Sequence, residues 1–159
     1  MLKYPCLVLD HDDTVVQTMR TLSYPFFCLE LEQFRPGTTM SLSEYITECY
    51  RRGFADMCRE CFGFTDEEMT LEHQQWMTYI MDNIPDIFPG IERIIRRQKV
   101  EGGILCVVSH SNSDNIMRDY QVHFGMQPDA IYGWDMEPHQ RKPHPRNPSK
   151  PFQRLMRMS

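Results

Sequence analysis

The chain has 159 residues, 17 Lys plus Arg against 22 Asp plus Glu, a formal net charge of −5 and 41% hydrophobic residues. That is enough apolar material for one packed domain, or a core carrying a small insert, and it excludes a disordered or strongly basic nucleic-acid-binding chain. No run approaches the roughly 18 apolar residues of a membrane helix, and Asp10 interrupts any secretory apolar segment near the start.

The first element is Tyr4 to Val16, YPCLVLDHDDTVV. The apolar run Cys6 to Leu9 reads as a buried parallel strand. Asp10 falls at its carboxyl end, with Asp12 and Asp13 just beyond. In open α/β sheets that edge is where ligands bind. Two carboxylates crowded there call for a cation, and oxygen-only ligation suits magnesium. One carboxylate can act as a nucleophile while its neighbour carries a proton.

Roughly residues 17–86 read as an all-helical insert, its first part helical only in pieces. Gln17 to Met40 is broken by Pro25 and by Pro36-Gly37. One long helix is expected from the Ser41-x-x-Glu44 capping box, weakened at Gly53 and ended by Gly63. A second starts from the Thr65-x-x-Glu68 box with an apolar stripe of Met69, Trp76, Met77, Ile80 and Met81. The methionines of this region are expected as core filler. Phe88-Pro89-Gly90 then opens a helix through Ile91, Ile94 and Ile95.

Gly102-Gly103 turns the chain into a second buried strand, Ile104 to Val108, ending at Ser109. A helix over Asp114 to Phe124, closed by Gly125, leads to a short third strand from Ala130 to Trp134. Strands alternating with helices give a parallel sheet. Beyond Asp135, Pro143, Pro145, Pro148 and Pro151 forbid a regular helix. The basic stretch from Gln140 to Ser159 reads as solvated terminus rather than a nucleic-acid arm. Cysteines at 6, 28, 49, 58, 61 and 106, two of them in expected strands, read as reduced thiols and a cytoplasmic location. Cys58-x-x-Cys61 lies within a helix and reads as packing.

The phrase D-x-D-x-T-V after a hydrophobic strand resembles motif I of the haloacid dehalogenase superfamily. Ser109 in VVSHS resembles motif II, and Lys142 in Arg141-Lys142-Pro143 resembles motif III. The resemblance covers about Lys3 to Pro145. It implies a Rossmann-like α/β core, residues 1–16 and 87–159, with about three strands and an all-helical cap, residues 17–86. It also implies a magnesium-dependent phosphatase acting through an aspartyl-phosphate on a small phosphorylated metabolite. Asp10 would be the nucleophile, Asp12 the general acid and base, Ser109 and Lys142 the ligands of the phosphoryl oxygens. Asp10 and Asp12 would hold Mg2+, and Thr14, His110 and Ser111 would line the substrate. Taken alone, His110 reads as a satisfied polar residue.

Two features depart from that pattern. Asp13 stands where many members have Gly; Asp is one of the few residues that tolerates such a turn. The paired acids of a fourth motif do not follow Lys142, and Glu137 is the last acid. The expectation is therefore a chain cut short before motif IV, with a weakened metal site and the first strand left as an edge. That edge would be covered by the tail or paired in a homo-oligomer. The alternative function is a catalytically weak remnant that serves as a binding module. A receiver-type phosphoacceptor uses similar residues, but its acceptor Asp lies on a later strand and it has no helical insert.

Overall fold

The structure, a computed structural model, describes residues 4–135. Three parallel strands, β1 (Cys6–Leu9), β2 (Ile104–Val108) and β3 (Ala130–Tyr132), lie in that order. Leu9 sits opposite Val107, and Val108 opposite Tyr132. The carboxyl ends of β1 and β2 therefore finish side by side, one at Asp10 and the other at Ser109. Among the described residues β1 pairs with β2 alone, so it is an edge.

β2 is the central strand, and its Leu105, Cys106 and Val107 are buried, as a continuous apolar run requires when both faces are covered. Helices α5 (Ile91–Val100) and α6 (Ser113–Phe124) pack with it around Val15, Val16, Ile95, Ile116, Tyr120 and Phe124. Gly125 ends α6 in the left-handed conformation, as expected. Gly90, rather than Pro89, is the residue immediately before α5.

Between β1 and α5 lies an insert of four α-helices: α1 (Tyr24–Phe34), α2 (Leu42–Arg52), α3 (Phe54–Phe62) and α4 (Asp66–Asp82). It has its own apolar cluster of Phe27, Leu31, Tyr45, Met57, Cys58 and Phe64. Both expected capping boxes form. The two chain segments that join the insert to the sheet run side by side. Gln17 N–H donates to the Asp86 carbonyl at 2.7 Å, and Phe88 N–H to that of Val15 at 3.0 Å.

Three local expectations change. The single helix expected from Ser41 to Gly63 is two, because Gly53 takes φ 85°, ψ 155° and turns the chain between α2 and α3. Pro25 does not break its helix. A π-helical turn, Met19–Ser23, runs straight into α1 and places Pro25 in the first turn, where a missing N–H costs nothing. Met57 is core as expected, but Met77 and Met81 are exposed. All six cysteines are free thiols, and Cys58 is buried while Cys61 is exposed. Among the described residues no helix is long and apolar enough to cross a membrane.

Candidate active site

Beyond β1 the chain turns sharply. The amides of Val15 and Val16 both donate to the His11 carbonyl, at 2.9 and 3.1 Å. Asp13 takes φ 52°, the conformation glycine supplies most easily. Its carboxylate accepts from the Met19 amide at 3.0 Å and so starts the π-helical turn. Burial pushes the Asp13 carboxyl above its usual range, the Met19 hydrogen bond opposes that shift, and the charges of Asp12 and Asp10 reinforce it.

Asp12 is the point where the elements meet. Its Oδ1 accepts from the Thr18 hydroxyl at 2.8 Å. Its Oδ2 accepts from Ser109 at 3.0 Å and from Ser111 at 2.7 Å. Ser109 Oγ in turn accepts from the Ser111 amide at 3.0 Å. Two hydroxyls from the end of β2 and one from the start of the insert thus converge on the second acid of the D-x-D pair. Asp10 is exposed at the strand tip and its Oδ1 accepts from the His11 amide at 2.8 Å. Thr14 is exposed, and His110 packs edge-on against Trp134 with ring centroids 6.1 Å apart. Lys142 lies outside the described residues.

The geometry adds a feature that the sequence did not announce. His11, between the two acids, is buried, and its Nε2 meets Asp119 Oδ2 of α6 at 3.0 Å. Arg118 holds the other oxygen of Asp119 at 2.8 and 2.9 Å. Arg118 also donates to the Ile80 carbonyl at the end of α4, at 2.5 Å. One chain of polar contacts therefore links the turn after β1, the core helix and the end of the insert. The only sequence signal was a histidine in a buried turn.

The donor set limits what metal could sit here. Asp13 is committed to the Met19 amide. Among the described residues no group of three His, Cys, Asp or Glu could ligate an ion. Asp10 remains at the strand tip, and Asp12 joins it where the hydroxyls of Thr18, Ser109 and Ser111 turn away from its oxygens. That fits magnesium, which keeps several waters and takes one or two carboxylates together with substrate phosphate.

No sequence-family model matches the chain, and no curated protein matches it. Solved structures do. A predicted phosphoglycolate phosphatase from Haemophilus somnus superposes at TM-score 0.73 and 19% identity over 99% of this chain and 72% of its own. A haloacid dehalogenase-like hydrolase from Bacteroides fragilis superposes at TM-score 0.66 and 19% identity, over 98% and 73%. The chain has the haloacid dehalogenase fold. CbbY from Rhodobacter sphaeroides, solved in complex with phosphate, shares this fold at TM-score 0.58 and 18% identity, covering 83% of this chain and 64% of CbbY. Within the haloacid dehalogenase fold, the acids at the tip of β1 and the serines after β2 occupy adjacent strand ends. That adjacency follows from the register already described.

Proposed function

We propose that the protein is a phosphomonoester hydrolase of the haloacid dehalogenase type, with residues 17–86 as a cap over the strand ends. The observation that carries this reading is the convergence of Ser109 and Ser111 on Asp12 beside the exposed Asp10. Phosphoryl transfer asks the protein mainly for positioning and charge stabilisation. Asp10 attacks phosphorus and the bond to the leaving alcohol oxygen breaks, with Asp12 donating the proton that oxygen needs. Water then attacks the aspartyl-phosphate, Asp12 takes the water's proton, and phosphate leaves with Asp10 restored. Ser109 and Ser111, whose hydroxyls rest on Asp12, swing to donate to the phosphoryl oxygens. Asp10 and Asp12 would hold Mg2+, which when bound neutralises the phosphate charge. Lys142 is assigned to the same phosphoryl group by its motif alone. The fold of solved phosphatases supports the reading, and the substrate is taken to be a small phosphorylated metabolite.

The test is phosphate release from a panel of small phosphomonoesters, with and without Mg2+. Asp10→Asn should abolish Mg2+-dependent turnover, and Ser109→Ala should reduce it by about 100-fold, the usual loss for one donor to a developing charge. Turnover that survives Asp10→Asn would remove the nucleophile and the mechanism with it. A folded chain without Mg2+-dependent turnover would favour the non-catalytic binding module.

A further inference from the structure

The insert encloses an open cavity of about 420 Å3, a size that suits a small ligand. It begins at Met19, the residue whose amide holds Asp13, and is walled by Phe26, Tyr45, Phe54 and Trp76. Glu72 of α4 also lines it. Glu72 is only 7% exposed, and no hydrogen bond or ion pair engages it among the described residues. Glu30 of α1, 2% exposed, is near enough for its charge to act on Glu72, and its Oε2 has no hydrogen-bond partner. A buried carboxyl whose charged form is opposed both by burial and by a second buried carboxyl is costly unless something supplies charge and hydrogen bonds.

We propose that this cavity binds an organic ammonium group, held by the carboxylate of Glu72 against the aromatic walls. A cation is attracted both by the carboxylate and by the negative faces of aromatic rings. An inorganic ion is disfavoured by donor count, because among the described residues no group of three ligating side chains exists. An anion is disfavoured by Glu72 itself, and among the lining residues there is no Lys or Arg to hold one. A neutral polyol would leave most of its hydroxyls facing rings and methionine. That the ammonium belongs to the leaving group of a phosphoester rests on the phosphatase reading; that the cavity takes an ammonium does not.

The full chain carrying Trp134→Phe leaves Trp76 as its single tryptophan reporter. Butylammonium should change its fluorescence saturably at pH 8, butan-1-ol should not, and Glu72→Gln should weaken the response at least tenfold. Glu72→Gln replaces an unpaired buried carboxyl, so its fold should survive, which a thermal melt checks. A second measurement needs no variant at Glu72. The groups around it are Glu30 on α1, Cys49 on α2, Cys58 on α3 and His73 on α4. The Glu72 carboxyl is pushed up to about 7 by burial and by Glu30, so affinity should rise about tenfold from pH 6 to pH 8. The rise should persist in His73→Asn. Equal responses to butylammonium and butan-1-ol, or an affinity flat across that pH range, would overturn the site.

Activity separates the two readings. O-phosphoethanolamine should be hydrolysed at least tenfold more efficiently than ethyl phosphate, and Glu72→Gln should erase that preference. Ammonium binding without phosphate release would defeat the phosphatase reading and leave the cavity's ligand intact. Phosphate release without that preference and without a butylammonium response would defeat the cavity's ligand alone.

Discussion

Buried polar groups at the strand ends carry this molecule's finest positioning. Asp119 accepts from Arg118 and pairs with His11, and both His11 and Asp119 are almost fully enclosed. Asp119→Ala would leave a buried imidazole and a guanidinium without their partner. The expected cost is about 3 kcal/mol in urea denaturation. His11→Phe keeps the Arg118–Asp119 contact and the ring packing on Tyr120, and should cost less than Asp119→Ala. A similar argument holds at Gly133. A Cβ there would lie 2.8 Å from the Ser111 carbonyl and 2.5 Å from Ser113 Oγ. Under the proposed phosphatase mechanism, Gly133→Ala should therefore shift Ser111 off Asp12 and lower kcat on the best phosphomonoester of the panel while Asp10 is untouched.

At the scale of elements, the insert is held by its turns as much as by its apolar cluster. Arg35, at the end of α1, donates to the carbonyls of Phe62 and Gly63 and grips Glu68 with two nitrogens at 2.8 Å each. Its guanidinium also lies 5.1 Å from the Phe64 ring centroid. A planar fork makes all these contacts at once, which lysine cannot, so Arg35→Lys should loosen the α3–α4 corner. Earlier hydrogen exchange at the amides of Gly63 and Phe64 would show it. Gly53, between α2 and α3, has open space where a side chain would go. Gly53→Ala should therefore cost only its backbone strain, about 1–3 kcal/mol of unfolding free energy for a conformation that is essentially reserved for glycine, read from urea denaturation.

For the whole molecule, carboxyls inside the insert set the response to pH. Burial pushes Glu30 up to about 7, and burial with the Glu30 charge does the same for Glu72. Their folded pKa values lie above the unfolded ones, so the native state binds more protons between about 4.5 and 7 and stability falls as pH rises through that window. Glu68 is opposite. The Arg35 hydrogen bonds hold it down to about 2, so its contribution is present above 4.5 and is lost as pH falls. Together they predict greatest thermal stability near pH 5, with a decline toward pH 8. The double variant Glu30→Gln, Glu72→Gln should flatten that decline. A melting temperature that instead rises steadily from pH 5 to pH 8 in the parent chain would contradict this account.

Local sequence was sufficient for much of this. The run Cys6–Leu9 ending in acids, the two capping boxes, Gly125 and the strand ending at Ser109 are signals written within a few neighbouring residues. Each element they announce is present. So is the left-handed turn at Asp13. The fate of Gly53 and Pro25 was not legible, because neither residue reveals whether its neighbours will turn or widen the helix around it. Nor was the pairing of His11 with Asp119, which are 108 positions apart, or the meeting of Glu30 and Glu72. In sequence those glutamates look like ordinary helix-surface residues. Only packing of α1 against α4 turns them inward, since burial belongs to the assembled layers and not to any stretch of chain.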